Sequence, residues 1–510
     1  MLGTVTRLGH AGRAMDALPE SLRDAFDPER FRREGHVLVD QLADYLRAVT
    51  GREGPVLPWV EPEMNLARWA GTFPEEPGGS LGELMTRVLA GSNHLHHPRY
   101  VGHQVTSPLP STALVHLASA LLNNGTAVYE MGPVSAPMER HVLAWMARQA
   151  GLPPESEGVL TSGGSVGHLT ELLAARQAVT GRDVWDEGLA SGKPLAILVP
   201  DETHYCVKRA AQILGLGRSG TFSIPVDDRF RLRPEALPET LAMAERTGRH
   251  VFAVVASAGS TSTGAFDPLE PVAEFCRERG LWFHVDGAHG ASAVLSPKYA
   301  HLAAGIGRAD SVVWDAHKMM LLPALLTAVL FRDGRRSYEA FSQRADYLLR
   351  QGGHGEWWNP AHRTLECTKR MMGLELWAAL TLHGTRMFSE YVTRMFDLGR
   401  TFAAMLDDAD DFELAVEPDC NIVCFRHVPD DFQDLDAHQE RVRSRLLAEG
   451  SFYLVQTRLR GHVHLRVTLI NPLTSERDLE ALVEAIRRVA SEIPSDSGKD
   501  EVSETSKLSL

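Results

Sequence analysis

Two residues of opposite charge sit in surroundings that suit neither of them. Asp286 closes the apolar, aromatic run Leu281-Trp282-Phe283-His284-Val285, and Lys318 follows a second such run, Val312-Val313-Trp314, within Asp315-Ala316-His317-Lys318. Each run reads as a short buried strand meeting a loop. A carboxylate in that setting is costly to bury without a cationic or hydrogen-bonded partner. A desolvated lysine is pushed toward its neutral amine, which is a nucleophile. Parallel α/β sheets collect ligands at the carboxyl ends of their strands, so both side chains are expected to face one crevice.

An aldehyde cofactor uses such a pair. Pyridoxal 5'-phosphate needs a lysine for a Schiff base and an acid that keeps its ring nitrogen protonated, and Lys318 and Asp286 suit those two tasks. The same two residues also suit a plain internal ion pair, which perturbs pKa values as well. A further feature belongs with the cofactor reading: Gly158-Val159-Leu160-Thr161-Ser162-Gly163-Gly164-Ser165 runs into an amphipathic helix expected over Val166 to Val179. Glycines there let backbone approach a ligand, and first-turn N–H groups with the helix dipole make an anion site.

The elements that would hold these residues follow from periodicity. Strands are expected at Leu195 to Val199 and Val251 to Ser257, with a helix near Pro271 to Arg279 between the second of these and the Asp286 strand. Strand and helix thus alternate from Leu160 to Phe331, the pattern of a doubly wound, mostly parallel sheet. Helices are also expected over Phe31 to Val49, Leu114 to Leu122 and Pro137 to Gln149. From about 386 onward a helix to Asp407, strands at Phe412 to Val416, Asn421 to Arg426, Phe452 to Thr457 and Val463 to Leu469, and a last helix from Ser475 to Ala490 make a smaller α+β unit, in which Arg466 reads as structural.

Composition narrows the partners. The 510 residues are 44% hydrophobic and 23% charged, which is ordinary globular composition with room for more than one domain. A net charge of −14 argues against nucleic acid or an anionic membrane as the main partner, which leaves small molecules. Five scattered cysteines, with Cys420 and Cys424 the only close pair, indicate neither zinc nor a disulfide framework and suit a reducing compartment. His94, His96, His97 and His103 lie close together, but no carboxylate or cysteine joins them and Pro98 breaks any helix that would align them, so no metal is expected. The start of the chain has no continuous apolar stretch of signal type, and no apolar run is long enough for a membrane span, so the expected location is cytoplasmic.

His284-Val285-Asp286-Gly287-Ala288 and Asp315-Ala316-His317-Lys318 resemble the signature of the group II PLP-dependent amino-acid decarboxylases, the family of glutamate, aromatic amino-acid, diaminobutyrate and cysteine-sulfinate decarboxylases. Similar stretches run from about residue 30 to about 490. The resemblance implies PLP fold-type I, with residues 1–95 as an N-terminal helical segment packing on a dimer partner, 96–385 as the large cofactor-binding domain, 386–493 as the small C-terminal α+β domain and 494–510 as a disordered tail. It implies a carboxy-lyase that takes the α-carboxylate from an L-amino acid, in a homodimer with active sites at the subunit interface.

It also implies roles for residues. Lys318 joins the cofactor, Asp286 faces its ring nitrogen and His204 stacks on the ring, with Ala288 small enough to pack the other side. Gly164, Ser165 and His317 hold the phosphate, and Ser257 lies near the 3'-oxygen. Tyr100, His103 and Gln104 line the substrate entrance, within a segment closer to those of enzymes for small polar or acidic substrates than to the aromatic ones. There are departures too. His168 stands where many relatives carry asparagine, and Asp315, where several carry asparagine, is expected to turn away from a phosphate or share a proton. No tyrosine lies between Leu348 and Arg363, where relatives carry the proton donor, which leaves His354 or His362 as substitutes. The same frame also fits decarboxylation-dependent oxidative deamination, transamination or a non-catalytic PLP-binding relative.

Overall fold

The computed structural model describes residues 17–76, 78–180, 184–189, 192–341, 356–430 and 433–493. Residues 342–355, His354 among them, and the polar tail from Pro494 lie outside them.

The larger of two sheets has seven strands: β1 (Glu157–Thr161), β2 (Leu195–Pro200), β3 (Thr221–Ile224), β4 (His250–Ser257), β5 (Trp282–Asp286), β6 (Ser311–Asp315) and β7 (Thr327–Phe331). Their order is β1-β7-β6-β5-β4-β2-β3. All run parallel except β7, which is antiparallel to both its neighbours. Helices on both faces cover the sheet, so β2, β5, β6 and β7 are buried at every position. That is why these strands read as continuous apolar runs and do not alternate. Between them run α7 (Gly164–Thr180), α8 (Tyr205–Ile213), α9 (Leu237–Arg246) and α10 (Leu269–Arg279).

Before the sheet come α1 (Glu20–Ala25), α2 (Pro28–Thr50), α3 (Pro62–Trp69), α4 (Leu81–Ala90), α5 (Pro110–Leu122) and α6 (Ser135–Gln149). Asp27 caps α2 through the N–H groups of Glu29 and Arg30, with Pro28 in the first turn. Asn123 ends α5 in the left-handed conformation at φ 47°, which asparagine tolerates. The first four helices bury only Val49, and they expose Phe26, Phe31, Val37, Met64, Leu66 and Trp69.

A long helix, α11 (Met372–Asp407), leads to the second sheet and is broken at Gly384, whose φ of 74° and ψ of 161° are not helical. The break is the reason periodicity predicted a helix only from about 386. The second sheet is antiparallel, ordered β10 (Val455–Leu459), β11 (His462–Thr468), β9 (Ile422–His427), β8 (Phe412–Leu414), and α13 (Glu476–Ser491) follows it. Among the elements that the sequence reading lacks are α3, α4, β3, α9 and α12 (Leu435–Glu449), the last being the longest. Its buried face includes His438 and Gln439 beside Val442, Leu446 and Leu447, so polar residues interrupt the apolar stripe.

The segment that precedes the large sheet is tied to the small one. Val101 N–H donates to the Tyr453 carbonyl at 3.0 Å, and the Val101 carbonyl accepts from Thr468 N–H at 2.7 Å. Asn471 Nδ2 donates to the carbonyls of Leu95 and His97, both at 3.0 Å, and Thr474 Oγ1 to that of Pro98 at 2.6 Å.

Candidate active site

β5 and β6 are adjacent parallel strands, so Asp286 and Asp315 both end at the same edge, and Lys318 follows in the turn after β6. Lys318 Nζ lies 3.1 Å from Asp315 Oδ2, with its side chain 19% exposed. Burial lowers the Lys318 pKa, but the attraction of Asp315 and then Asp286 outweighs burial and the balance lies above the ordinary lysine value. The expectation of a lysine made neutral by burial is therefore corrected: two carboxylates hold its charge. Asp315 is likewise anionic and does not turn away. Thr327 Oγ1 donates to its Oδ1 at 2.5 Å, and Lys318, then His317, overcome the burial that would raise its pKa.

Asp286 accepts the Ala288 N–H at 3.2 Å, and its Oδ1 lies 3.5 Å from His168 Nε2. Burial would raise its pKa, but His168 and then Lys318 overcome burial and hold it well below the usual carboxylate range. His204 caps the start of α8 with its Nδ1 2.8 Å from Cys206 Sγ, and its ring lies 4.3 Å from that of Tyr205. Burial would raise the Cys206 thiol, but His168 and His204 bring it down to about 7. Ser257 pairs with Asp286 across β4 and β5 and is buried, as is Ala288.

Gly163 sits at φ 105° ahead of α7, and a Cβ on Gly164 would meet Asp315 Oδ2 at 3.3 Å. Backbone thus comes as close to the strand end as a missing side chain allows, with the first turn of α7, including Ser165, aimed at the same edge. His317 Nδ1 is engaged with the backbone of Leu326 at 2.9 Å.

Of the residues expected at the substrate entrance, Tyr100 is 2% exposed and stacks on Tyr453, ring centres 5.1 Å apart. His103 is exposed and lies 5.8 Å from the Tyr453 ring. Burial lowers its pKa, and the nearby charges of Arg466 and Arg443 lower it further. Gln104 Nε2 is buried without a partner among the described residues. Arg466 is read from the sequence as structural and not as a site residue. It is buried on β11, its Nε and Nη2 have no partner among the described residues, and its charge reaches His289, which Lys318 also reaches. The available signal was a single cation inside the apolar strand Val463-His464-Leu465-Arg466-Val467.

Lys369 is buried, donating to Glu139 Oε1 at 2.8 Å and to the Leu160 carbonyl at 2.7 Å. His362 is buried with Nε2 3.6 Å from Glu356 Oε2.

An amine and a carboxylate at adjoining strand ends, with a glycine-lined helix N-terminus beside them, fit pyridoxal phosphate: the amine can take its aldehyde, the carboxylate its ring nitrogen and the helix its phosphate. Together with the mostly parallel sheet they define a pyridoxal phosphate enzyme of fold type I. The pyridoxal-dependent decarboxylase conserved domain matches residues 73–428. The acidic amino acid decarboxylase GADL1 of Xenopus tropicalis is 30% identical, over 82% of this chain and 84% of that protein. Human cysteine sulfinic acid decarboxylase is 29% identical over 94% and 99%. The crystal structure of Oryza sativa TDC with PLP and tryptamine superposes with a TM-score of 0.84 at 25% identity, covering 92% of this chain and 99% of that one. The chain belongs to the pyridoxal-dependent decarboxylase family. It is an amino-acid carboxy-lyase that works with pyridoxal phosphate, and the comparisons favour decarboxylation over deamination, transamination or a non-catalytic role.

Proposed function

We propose that this decarboxylase acts on a small acidic L-amino acid, and that Arg466 receives one of its carboxylates. The observation that carries the reading is the buried Arg466 guanidinium, with two nitrogens unpartnered, beside an exposed His103 that a second arginine, Arg443, also faces. A buried cation without a partner is costly, and an anionic substrate removes that cost when it binds. The similarity to decarboxylases named for acidic and cysteine sulfinic acids supports the same class.

In this reading Lys318 would hold the cofactor through its aldehyde, and His204 and Ala288 would confine the ring between them. Gly164 and Ser165 offer N–H groups to the phosphate, with His317 beside them, while Ser257 stands at the strand end next to Asp286. Bound pyridoxal phosphate supplies an electron sink for the pair left behind as the α-carboxylate departs as carbon dioxide. Asp286 keeps that sink effective by holding a proton on the ring nitrogen. His103 and Gln104, on the wall that Tyr100 and Tyr453 stiffen, would bind and orient the substrate.

The exposed apolar faces of residues 17–95 support a homodimer in which this segment packs on the partner and completes the site. Residues 96–385 act as the cofactor-binding domain and 386–493 as the small domain. A cytoplasmic location agrees with the scattered free cysteines. No helix among the described residues is long and apolar enough to cross a membrane.

Carbon dioxide release from a panel of L-amino acids tests the substrate class. Aspartate, glutamate or cysteine sulfinate should exceed tryptophan, tyrosine and lysine by about tenfold or more in kcat/KM. A preference for an aromatic or basic substrate sinks the reading. Arg466→Met should raise KM for the acidic substrate by about tenfold or more while leaving thermal stability equal or higher, since an unpartnered buried charge is removed.

A further inference from the structure

Behind Asp286 lies a buried polar chain that the proposed chemistry does not use. His168 and Glu171 are three residues apart on α7 and so share a face. That face packs on β5, where His284 and Asp286, two apart on one strand, point the same way. His168 Nε2 faces Asp286 Oδ1 at 3.5 Å, and its Nδ1 lies 3.1 Å from His284 Nε2, the two rings meeting edge to face. His284 Nδ1 reaches Ser311 Oγ at 2.9 Å and Glu171 Oε2 at 3.4 Å. Ser311 Oγ accepts from Trp282 Nε1 at 2.8 Å and donates to Glu171 Oε2 at 3.2 Å. Glu171 Oε1 has no partner among the described residues, and Glu171 and His284 have no exposed surface.

Proton counting along this chain admits two solutions, both with a neutral Glu171 and a His168 Nε2–H facing Asp286: a neutral His168 that accepts from His284, or a charged His168, the form that answers the Asp286 carboxylate. In the charged form an imidazolium at His168 gives one N–H to Asp286 and the other to His284 Nε2. His284 is then neutral and gives its Nδ1–H toward Ser311 and Glu171. Ser311 accepts from Trp282 and His284 and gives its own hydrogen to Glu171, which is left as the neutral acid. A second negative charge at Glu171 would be buried with an oxygen unsatisfied, the costlier arrangement.

We propose that His168 is a positioning residue for the cofactor's ring nitrogen: it holds a buried proton against Asp286, and His284, Ser311 and the neutral acid Glu171 keep that proton there. Burial lowers the His168 pKa, yet Asp286 raises it well above the ordinary histidine value. Burial and then His168 lower His284, and burial pushes Glu171 up to about 8. The groups facing His168 are Asp286 and His284 on β5, Cys206 at the start of α8 and Glu171 on its own helix, with Lys318 beyond Asp286. Asp286 is therefore held anionic well below neutral pH, and a ring nitrogen opposite it would stay protonated across the neutral range. The inference rests on Asp286 facing that nitrogen.

The test is the 15N resonance of the ring nitrogen in holoenzyme loaded with 15N-labelled pyridoxal phosphate, followed from about pH 6 to about pH 9. Wild type should stay protonated throughout. His168→Asn should let the nitrogen titrate, its pKa falling by about one unit or more, and should change the pH profile of kcat. Glu171→Gln, an isostere of the neutral acid, should leave the signal flat. His168→Asn with a flat, protonated signal overturns the proposal, as does loss of protonation in Glu171→Gln. Histidine-selective 15N labelling of the unmutated protein gives a check that needs no variant: both His168 nitrogens should carry protons over the same range, and a neutral His168 overturns the proposal. Asp286→Asn separates the two layers of argument. If the nitrogen stays protonated in that variant, the placement of Asp286 fails and the role of His168 falls with it. If only the Asp286 variant loses the proton, Asp286 stands and the His168 relay fails alone.

Discussion

At Lys318 two effects of opposite sign meet, and the carboxylates win. Burial favours the amine, while Asp315 at 3.1 Å and Asp286 behind it favour the ammonium, so the ligand-free protein holds this residue charged near neutral pH. Only the neutral amine attacks an aldehyde. The sign follows: because the folded-state pKa is raised, the reactive fraction is small at neutral pH and grows as pH rises. Loading of pyridoxal phosphate, followed by the visible absorbance the cofactor gains when joined to lysine, should accelerate with pH. Asp315→Asn, which removes the larger of the two attractions, should speed loading at neutral pH by about tenfold for each pKa unit lost. Unchanged kinetics would show that Asp315 does not control this amine. Much at this scale was legible, since Asp286 and Lys318 each end an apolar run. The ion pairs that reset Lys318 were not legible, because Asp315 lies three residues away in a turn whose path only the fold fixes. Arg466 was read as structural for another reason: one cation in a strand gives no sign of its task until the face it points to is known.

Among the elements, the contact of α6, β1 and the segment before α11 depends on one buried ion pair. Lys369 Nζ binds Glu139 Oε1 and the Leu160 carbonyl, while Leu160 N–H donates to the same Glu139 oxygen at 3.0 Å. Lys369→Met leaves Glu139 charged and buried, and should cost roughly 3–5 kcal/mol in denaturant unfolding. The double variant with Glu139→Gln should recover part of that loss. Equal stability of Lys369→Met and wild type would remove this pair from the account of the fold. Most strands and helices could be read from the sequence because apolar periodicity marks whatever is buried. Helix α12 could not, since His438 and Gln439 occupy its buried face. Glu171 escaped notice, and His168 was noted only for standing where relatives carry asparagine, for a related reason: spacing of three shows a shared helix face, but not which strand lies beneath it.

For the whole molecule, the tie between the two ends of the chain is open to measurement. Arg52, just after α2, grips Asp478 at the start of α13 through two hydrogen bonds of 2.8 and 2.7 Å. Burial would raise the Asp478 pKa, but Arg52 and Ser475 lower it on balance. Its contribution is therefore full above the ordinary aspartate range and lost as pH falls through the depressed value. Arg52→Ala should cost about 1–2 kcal/mol at neutral pH, and the difference from wild type should shrink in acid. A difference that grows on acidification would contradict the sign.

The bonds that pin residues 95–101 to Tyr453, Thr468, Asn471 and Thr474 join stretches some 350 positions apart, and the loop-closure entropy of such contacts makes them late to form. During synthesis the strands bearing Asp286 and Lys318 leave the ribosome well before β11 does. A growing chain can therefore acquire its reactive amine long before it acquires the entrance that chooses what reaches it, and premature stops near residue 450 should yield fragments able to capture the aldehyde but unable to discriminate among amino acids.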